Sequence, residues 1–312
     1  MEIFRHIDDP KLSFERSAIT LGNFDGVHLG HQALIRATVE AGKRLDCRSV
    51  VLTFEPHPLK VLAPERAPKL ILSHKDKMLL FQELGIDAVV IQNFDQSFAN
   101  IEAEDFVRRF LVDRLRAKET WVGSDLRFGK NRKGSADDLT RLGRELGFHV
   151  ATVDPIIVNG SRVSSSRIRQ LLEQGAVEEA AALLGRYHFV SGKVVSGHRR
   201  GRGLGFPTAN IASRTEVVPA NGIYATVLEV KGQRLPSATS VGTNPTFGAA
   251  PRTVETFIMD FDNDIYGEQV RLSFVKRIRD EKKFDSIAAL TDQMDRDVAA
   301  ARSILDQALA KR

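Results

Sequence analysis

Hydrophobic and polar positions give the chain two textures, and the change falls near residue 187. Before it, short apolar runs alternate with stretches of helical spacing. Ala18-Ile19-Thr20-Leu21 reads as a buried strand, and Ala33, Leu34, Ala37 and Ala41 recur on one face of a helix starting near Gly30. Arg48-Ser49-Val50-Val51-Leu52-Thr53-Phe54 is a β-branched run. It stops at Glu55-Pro56-His57-Pro58, which can continue neither a helix nor a central strand. Residues 73–84 have a helical pattern, with Ser73 as cap and Gly85 as stop. Next come a strand over 87–91, a helix over 102–115, a strand over 120–123, a helix over 137–146 and a strand over 149–153. Two more helices, one opening at Ser164 and one over 178–184, complete this part. The alternation predicts an α/β fold, a doubly wound parallel sheet with helices on both faces. In such sheets ligands bind beyond the carboxyl ends of the strands, where residues 22–31, 55–58 and 123–128 would converge on one cleft.

After Tyr187, strand-like runs over 189–195, 223–230, 238–242, 254–259 and 269–275 are separated by Gly, Pro and Asn with no long helix between. They predict a small, closed antiparallel β-barrel. A C-terminal helix over 286–310 comes last, with Ile287, Leu290, Met294, Val298, Ile304 and Leu305 as its apolar stripe. The pattern divides the chain into domains at residues 1–186 and 187–312.

With 312 residues and 42% hydrophobic composition, the chain can fill two ordinary cores. Charged residues are 27%, and no stretch approaches the roughly 18 consecutive apolar residues that span a membrane. The first ten residues lack the basic start and apolar middle of a signal peptide, and Cys47, the single cysteine, excludes an intramolecular disulfide. A soluble cytoplasmic protein without a membrane partner is expected. The net charge of +5 suits either nucleic acid or polyphosphate substrates. Only Arg199-Arg200-Gly201-Arg202 is a compact basic cluster, and no aromatic stacking platform accompanies it, so no nucleic-acid partner is expected. Nothing in the sequence specifies an oligomeric state.

The densest chemistry lies in Gly22-Asn23-Phe24-Asp25-Gly26-Val27-His28-Leu29-Gly30-His31, between a strand and a helix. Glycines let a backbone approach a phosphate, and the first N–H groups of a helix point at it. His28 and His31, three residues apart, face one side if the helix starts there. A zinc pair at this spacing would need further ligands, and nothing nearby supplies a plausible set. Two helix-start histidines without a role are a second reading. The third is nucleotidyl transfer: imidazole donors at a helix N-terminus stabilise the charge that builds when a phosphate attacks the α-phosphate of ATP. Ser164-Ser165-Ser166-Arg167-Ile168-Arg169 reads either as a simple helix cap or as hydroxyls and an arginine fork gripping phosphate. Gly129-Lys130-Asn131-Arg132-Lys133-Gly134-Ser135 imitates a P-loop but has no lysine between its second glycine and the hydroxyl residue, and reads as a basic, mobile surface loop. Gly201-Arg202-Gly203-Leu204-Gly205 lacks the glycine spacing of a dinucleotide fingerprint. Glu255, taken alone, is an ordinary outward strand residue.

The first of these stretches resembles the signature of the HxGH nucleotidylyltransferases. Extended through Gln32 and joined to Thr53-Phe54-Glu55-Pro56-His57-Pro58, it is similar to the adenylyltransferase module of the prokaryotic bifunctional riboflavin kinase/FAD synthetase family. The resemblance implies His28 and His31 as catalytic residues. It implies Gly22, Asn23, Phe24, Gly30, Ser164, Ser165 and Arg167 as ATP contacts, with Ser166 keeping a hydroxyl where threonine is more usual. It implies Glu55, Pro56, His57, Pro58, Asp125 and Phe128 as flavin contacts, with Leu126 standing where an aromatic is common. Gly203-Leu204-Gly205-Phe206-Pro207-Thr208-Ala209-Asn210 resembles the flavokinase signature, and Gly242-Thr243-Asn244-Pro245-Thr246-Phe247-Gly248 and Val254-Glu255-Thr256 continue the likeness. These imply Gly203, Gly205, Phe206, Pro207, Thr208, Asn210 and Arg279 as ATP and flavin contacts, Thr208 and Asn210 as Mg²⁺ ligands, and Glu255 as the catalytic base. The implied activities are phosphorylation of riboflavin to FMN by the barrel and adenylylation of FMN to FAD by the α/β domain. ATP is the co-substrate of both, and Mg²⁺ serves both. A different HxGH nucleotidylyltransferase with an accessory barrel, and a non-catalytic nucleotide- or RNA-binding protein, are the alternatives.

Overall fold

The computed structural model describes residues 1–196, 206–243 and 252–309. Its contacts divide the chain into two compact units, residues 1–69 with 74–164 and residues 70–73 with 165–312. In the first unit six strands lie parallel: β1 (Glu2–Phe4), β2 (Ser17–Leu21), β3 (Arg48–Glu55), β4 (Ala88–Asn93), β5 (Ala117–Gly123) and β6 (His149–Val153). Their spatial order is β1-β4-β3-β2-β5-β6. The chain winds outward from β2 through β3 and β4, then returns to place β5 on the other side of β2. That reversal opens a crevice beside the end of β2.

Side chains alternate across the sheet, and both faces are covered. Val50 and Leu52 join a cluster with Phe106, Phe110, Leu111 and Leu139, whereas Val51 between them is equally buried on the opposite face. Double coverage is why these strands read as nearly unbroken apolar runs. Helix α1 (Leu29–Leu45) buries Leu34, Ile35 and Val39. Its last turn is tied to β5, where Arg44 meets the buried Glu119 at 2.7 Å, and Trp121 Nε1 donates to the same carboxylate at 2.7 Å. Helix α2 (His74–Glu83) packs Phe81 into the core.

Two local expectations are corrected here. The helix expected over 102–115 starts as an α-helix at Ala103–Phe106 and continues in π turns over Val107–Arg114, which still bury Phe106, Val107, Phe110 and Leu111 together. The segment read as a basic surface loop is exposed at Asn131, Arg132 and Lys133, as expected, but it is closed at its base by a tight ribbon in which Arg127–Phe128 pairs antiparallel with Gly134–Ser135. Ser135 then starts α3 (Ala136–Leu146) in a capping box with Asp138.

The second unit holds α4 (Ser165–Glu173), α5 (Val177–Leu184) and a closed barrel of β7 (His188–Val195), β8 (Thr208–Ser213), β9 (Gly222–Val230), β10 (Gln233–Gly242), β11 (Thr253–Ile258) and β12 (Gln269–Arg279). The barrel order is β7-β8-β11-β10-β9-β12, and every neighbouring pair is antiparallel. The apolar pattern foretold five of these strands. It missed β8, in which only Ile211 is buried among Thr, Ala, Asn and Ser. Inside the barrel the hydroxyls of Thr226, Ser237, Thr239 and Thr256 satisfy one another at 2.6–2.8 Å. On the outside, Ala225, Val227, Ala238 and Val275 pack against Ala301 and Leu305 of the C-terminal helix α6 (Ile287–Leu309). Among the described residues no helix is long and apolar enough to cross a membrane.

Candidate active sites

β2 ends at Leu21, and a tight turn delivers the chain to α1. Phe24 (φ 51°), Gly26 (φ 84°) and Val27 (φ 41°) are all left-handed. Gly26 adopts this conformation freely, but a side-chain-bearing residue pays about 1–3 kcal/mol for it, so the surroundings must impose the turn. Phe24 and Val27 are buried, and the Phe24 ring meets Phe81 edge-on at 5.7 Å and His31 at 5.2 Å. His28 is the N-cap of α1, its Nδ1 accepting the N–H of His31 at 3.4 Å. His31 stacks on His28 with ring centroids 3.5 Å apart and an interplanar angle of 16°. Gly30 lies under the His28 ring, where a Cβ would sit 3.3 Å from Nδ1. Gly22, Asn23, Phe24, His28, Gly30 and His31 thus come together in one turn at the positive end of a 17-residue helix.

The other first-unit residues expected at the site lie on separate elements. Glu55 ends β3 and pairs with His74 Nδ1 at 2.9 Å; burial holds the His74 pKa below its ordinary value even though Glu55 pulls it up. Pro56 comes next, and His57 caps the one-turn helix Pro58–Leu62, its Nδ1 accepting the Leu59 N–H at 3.2 Å. After β5, Asp125 is paired with Arg162. Phe128 is buried in the core 5.7 Å from Phe106, and Leu126 packs on the same cluster. Ser164 closes the first unit, while Ser165 and Arg167 open α4 in the second, with Arg167 Nη1 donating to Gln170 at 2.8 Å.

Sequence reasoning passed over Lys77. Its Nζ donates to the Asn23 carbonyl at 3.2 Å and to Thr53 Oγ1 at 3.3 Å, directly behind the histidine turn. Desolvation lowers its pKa, although Asp25 and Glu55 act to raise it. The available signal was its spacing: Lys77 stands four residues before the fully buried Phe81, on the apolar stripe of α2.

In the barrel, Asn210 of β8 lies opposite Glu255 of β11, Thr208 lies opposite Phe257, and Ser240 flanks Glu255 on the other side. Directly opposite residues have Cβ atoms about 4.5–5.5 Å apart. By alternation Thr208, Asn210, Glu255 and Phe257 share the outward face that also carries Ala238 against α6. Phe206, next to Pro207, meets Phe257 at 5.3 Å, and Thr253 Oγ1 donates to Glu255 Oε1 at 3.2 Å. Arg279, at the end of β12, grips Asp297 of α6 through bonds of 2.8 and 2.6 Å. Gly203 and Gly205, the basic cluster at 199–202 and the motif residues 244–248 lie outside the described residues. Among the described residues no three His, Cys, Asp or Glu side chains gather into a metal cage. β8 and β11 instead offer hard oxygens from a hydroxyl, an amide and a carboxylate.

The FAD synthetase family model matches residues 11–167, and the riboflavin kinase family model matches residues 184–305. A parallel α/β unit and a closed barrel carrying these two matches define a two-part enzyme of flavin nucleotide synthesis. Among its relatives, the bifunctional riboflavin kinase/FMN adenylyltransferase of Escherichia coli (strain K12) is 37% identical over 289 residues, 92% of each chain. The protein of the same description from Haemophilus influenzae is 32% identical, covering 98% of this chain and 100% of that one. A crystal structure from Streptococcus pneumoniae, described as a macrolide-efflux protein, superposes with a TM-score of 0.86 at 32% identity over 96% of this chain and 98% of that one. The chain belongs to the bifunctional riboflavin kinase/FMN adenylyltransferase family, and it has both activities.

Proposed function

We propose that residues 187–312 phosphorylate riboflavin and residues 1–186 adenylylate the resulting FMN, each step using ATP and Mg²⁺. The observation that carries this division is that the two reactive sets belong to different units. The stacked His28–His31 pair starts α1 in one, and the Asn210–Glu255 row crosses the barrel of the other.

In the kinase step the riboflavin 5′-hydroxyl oxygen attacks the γ-phosphorus of ATP. Its new P–O bond forms as the bond to the bridging oxygen breaks and ADP leaves, and Glu255 takes the hydroxyl proton. The donor set suits Mg²⁺: Thr208 and Asn210 present two hard oxygens from one strand face, and this ion ordinarily takes one or two protein oxygens beside phosphates and waters. When bound it offsets polyphosphate charge. Gly203 and Gly205 are assigned to phosphate approach, Phe206 and Pro207 to the substrate wall. Arg279, held by Asp297, is assigned to the ATP and flavin contacts.

In the adenylyl step an FMN phosphate oxygen, already ionised, attacks the α-phosphorus of a second ATP, and pyrophosphate leaves. His28 and His31 donate to the charge that grows on the phosphate oxygens, with the helix N-terminus behind them. Gly22, Asn23, Phe24 and Gly30 shape the turn, Ser164, Ser165 and Arg167 are assigned to ATP, and Glu55, Pro56, His57, Pro58, Asp125 and Phe128 to the flavin side. All substrates in this reading are small molecules, with no nucleic-acid or membrane partner.

The test is to incubate variants with riboflavin, ATP and Mg²⁺ and separate the flavins by chromatography. His28→Ala combined with His31→Ala should stop at FMN. Glu255→Gln should lower phosphorylation about 10²–10⁴-fold while supplied FMN still becomes FAD. A folded variant of either kind that loses both steps contradicts the division.

A further inference from the structure

Lys77 is a lysine whose ammonium has been drawn off the surface into the back of the adenylyl-transfer turn. It comes from α2, while its two hydrogen-bond acceptors come from elsewhere: the carbonyl of Asn23, in the turn after β2, and the hydroxyl of Thr53, near the end of β3. Thr53 Oγ1 itself reaches the Asn23 carbonyl at 3.5 Å, which closes a three-cornered knot among three elements. The charged groups facing the ammonium are Asp25 from the turn, Glu55 from β3 and His74 from its own helix.

Asn23 stands at the entrance to the strained part of the turn, which gives this placement its consequence. Phe24 and Val27 hold left-handed backbone angles that their side chains disfavour, and His28 comes immediately after them as the cap of α1. A turn of this kind keeps its shape only while its ends are held. Its far end is held by α1, and its near end is held by the Gly22 N–H, which donates to the Leu52 carbonyl at 3.1 Å, and by the Asn23 carbonyl. A half-buried ammonium is a demanding tether, since desolvation makes it costly unless its hydrogen bonds are made. A surface-facing lysine would do nothing of the sort.

We propose that Lys77 is a positioning residue for adenylyl transfer, clamping Asn23 to Thr53 and so holding the Phe24–Val27 turn in the shape that aims His28 and His31. This rests on the reading of His28 and His31 as the adenylyl-transfer pair. Lys77 itself touches no reacting atom in this scheme. Its loss should therefore appear in kcat of adenylyl transfer, with KM for FMN and ATP little changed.

The experiment uses the full chain with Lys77→Met, Lys77→Arg, Thr53→Val and His28→Ala. Riboflavin kinase activity and the melting curve report folding in each preparation. Lys77→Met is expected to lower kcat of FAD formation about 100-fold, the scale of a small misplacement of reacting groups. KM should move less than about threefold, and riboflavin phosphorylation should stay at the parent rate. Thr53→Val should give a smaller loss in the same parameter, and Lys77→Arg should recover most of the lost kcat. Arginine stays charged to higher pH than lysine, so Lys77→Arg should also carry the alkaline limb of the kcat profile upward, which a space-filling role would not. An unchanged kcat in Lys77→Met overturns the proposal, as does a rise in KM at constant kcat. If Lys77→Met does not fold, Lys77→Arg with an unmoved alkaline limb overturns it. His28→Ala separates the two layers: if it too makes FAD at the parent rate, the reading of the histidine pair has failed, whereas a dead His28→Ala beside an unimpaired Lys77→Met sinks the role of Lys77 alone.

Discussion

His188 shows how much a single side chain can hide. It opens β7 with its ring 1% exposed, Nε2 bonded to the Val217 carbonyl at 3.1 Å and Phe274 stacked at 6.2 Å. Burial pulls its pKa down from 6.5 to about 3, so the folded state keeps it neutral. Between those values the unfolded chain binds a proton that the folded chain refuses. Stability therefore falls as pH drops below about 6.5, by up to about 1.4 kcal/mol per pH unit from this one group. His188→Gln keeps a donor for Val217 and removes the titration. Melting temperatures measured from pH 6.5 to 4.5 should decline less steeply in that variant than in the parent; parallel declines refute this account. The chain has eight histidines, and their types alone do not separate this one from His28 and His31. His28 and His31 stood out in the sequence because glycines and a strand-to-helix transition surround them, and the structure stacks the two rings at the start of α1. His188 and Lys77 did not, because a polar residue's burial is decided by elements far away in sequence. Phe128 likewise packs against Phe106 at 5.7 Å, a neighbour that its own stretch of sequence does not announce.

At the scale of elements, patterns that repeat were readable and patterns set by a neighbour were not. The apolar stripe of α6 announced a helix with one face to bury; its later residues Val298, Ile304 and Leu305 meet Ala225, Val227 and Ala238 of the barrel, whereas Ile287 at its start is 70% exposed. β8 has no such stripe. Its place comes from closing the barrel between β7 and β11, and its polar residues are the ones that meet Glu255. What the stripe also could not show is how α6 is pinned. Arg279 and Asp297 are 15% and 7% exposed and share two hydrogen bonds. Removing one partner strands a desolvated charge, so Asp297→Ala should cost about 3 kcal/mol. That corresponds to a melting temperature lower by about 6–12 °C for a unit of this size. Replacing both, with Arg279→Met and Asp297→Leu, should recover most of the loss, because a well-packed apolar pair needs no such compensation. Calorimetry on the three chains decides it: a double variant as unstable as Asp297→Ala would mean that the helix depends on this particular ion pair.

For the molecule as a whole, the sequence texture changes where the barrel's first strand begins, at His188, while the contacts change earlier, at Ser165. The helices α4 and α5 explain the interval. They continue the α/β rhythm, yet Leu172 accepts the Ala220 N–H at 2.9 Å and Glu178 pairs with Lys276 at 3.3 Å, both partners within the barrel unit. A repeating rhythm shows what an element is and leaves open which core it joins. The two family matches leave residues 168–183 between them. Each unit nonetheless has its own buried cluster, so a side-chain deletion in one active set should leave the other working. This leads to a prediction about traffic. FMN is the product of one half and the substrate of the other. A chain carrying His28→Ala with His31→Ala should release FMN, and a chain carrying Glu255→Gln should accept FMN from solution. Mixed in equal amounts with riboflavin, ATP and Mg²⁺, two chains that each fail alone should together make FAD. The time course should begin with a lag while FMN accumulates, and added FMN should abolish that lag. FAD without a lag would point to direct transfer between the two chains. No FAD, from two chains shown separately to keep their remaining activity, would mean that FMN does not leave the chain that makes it.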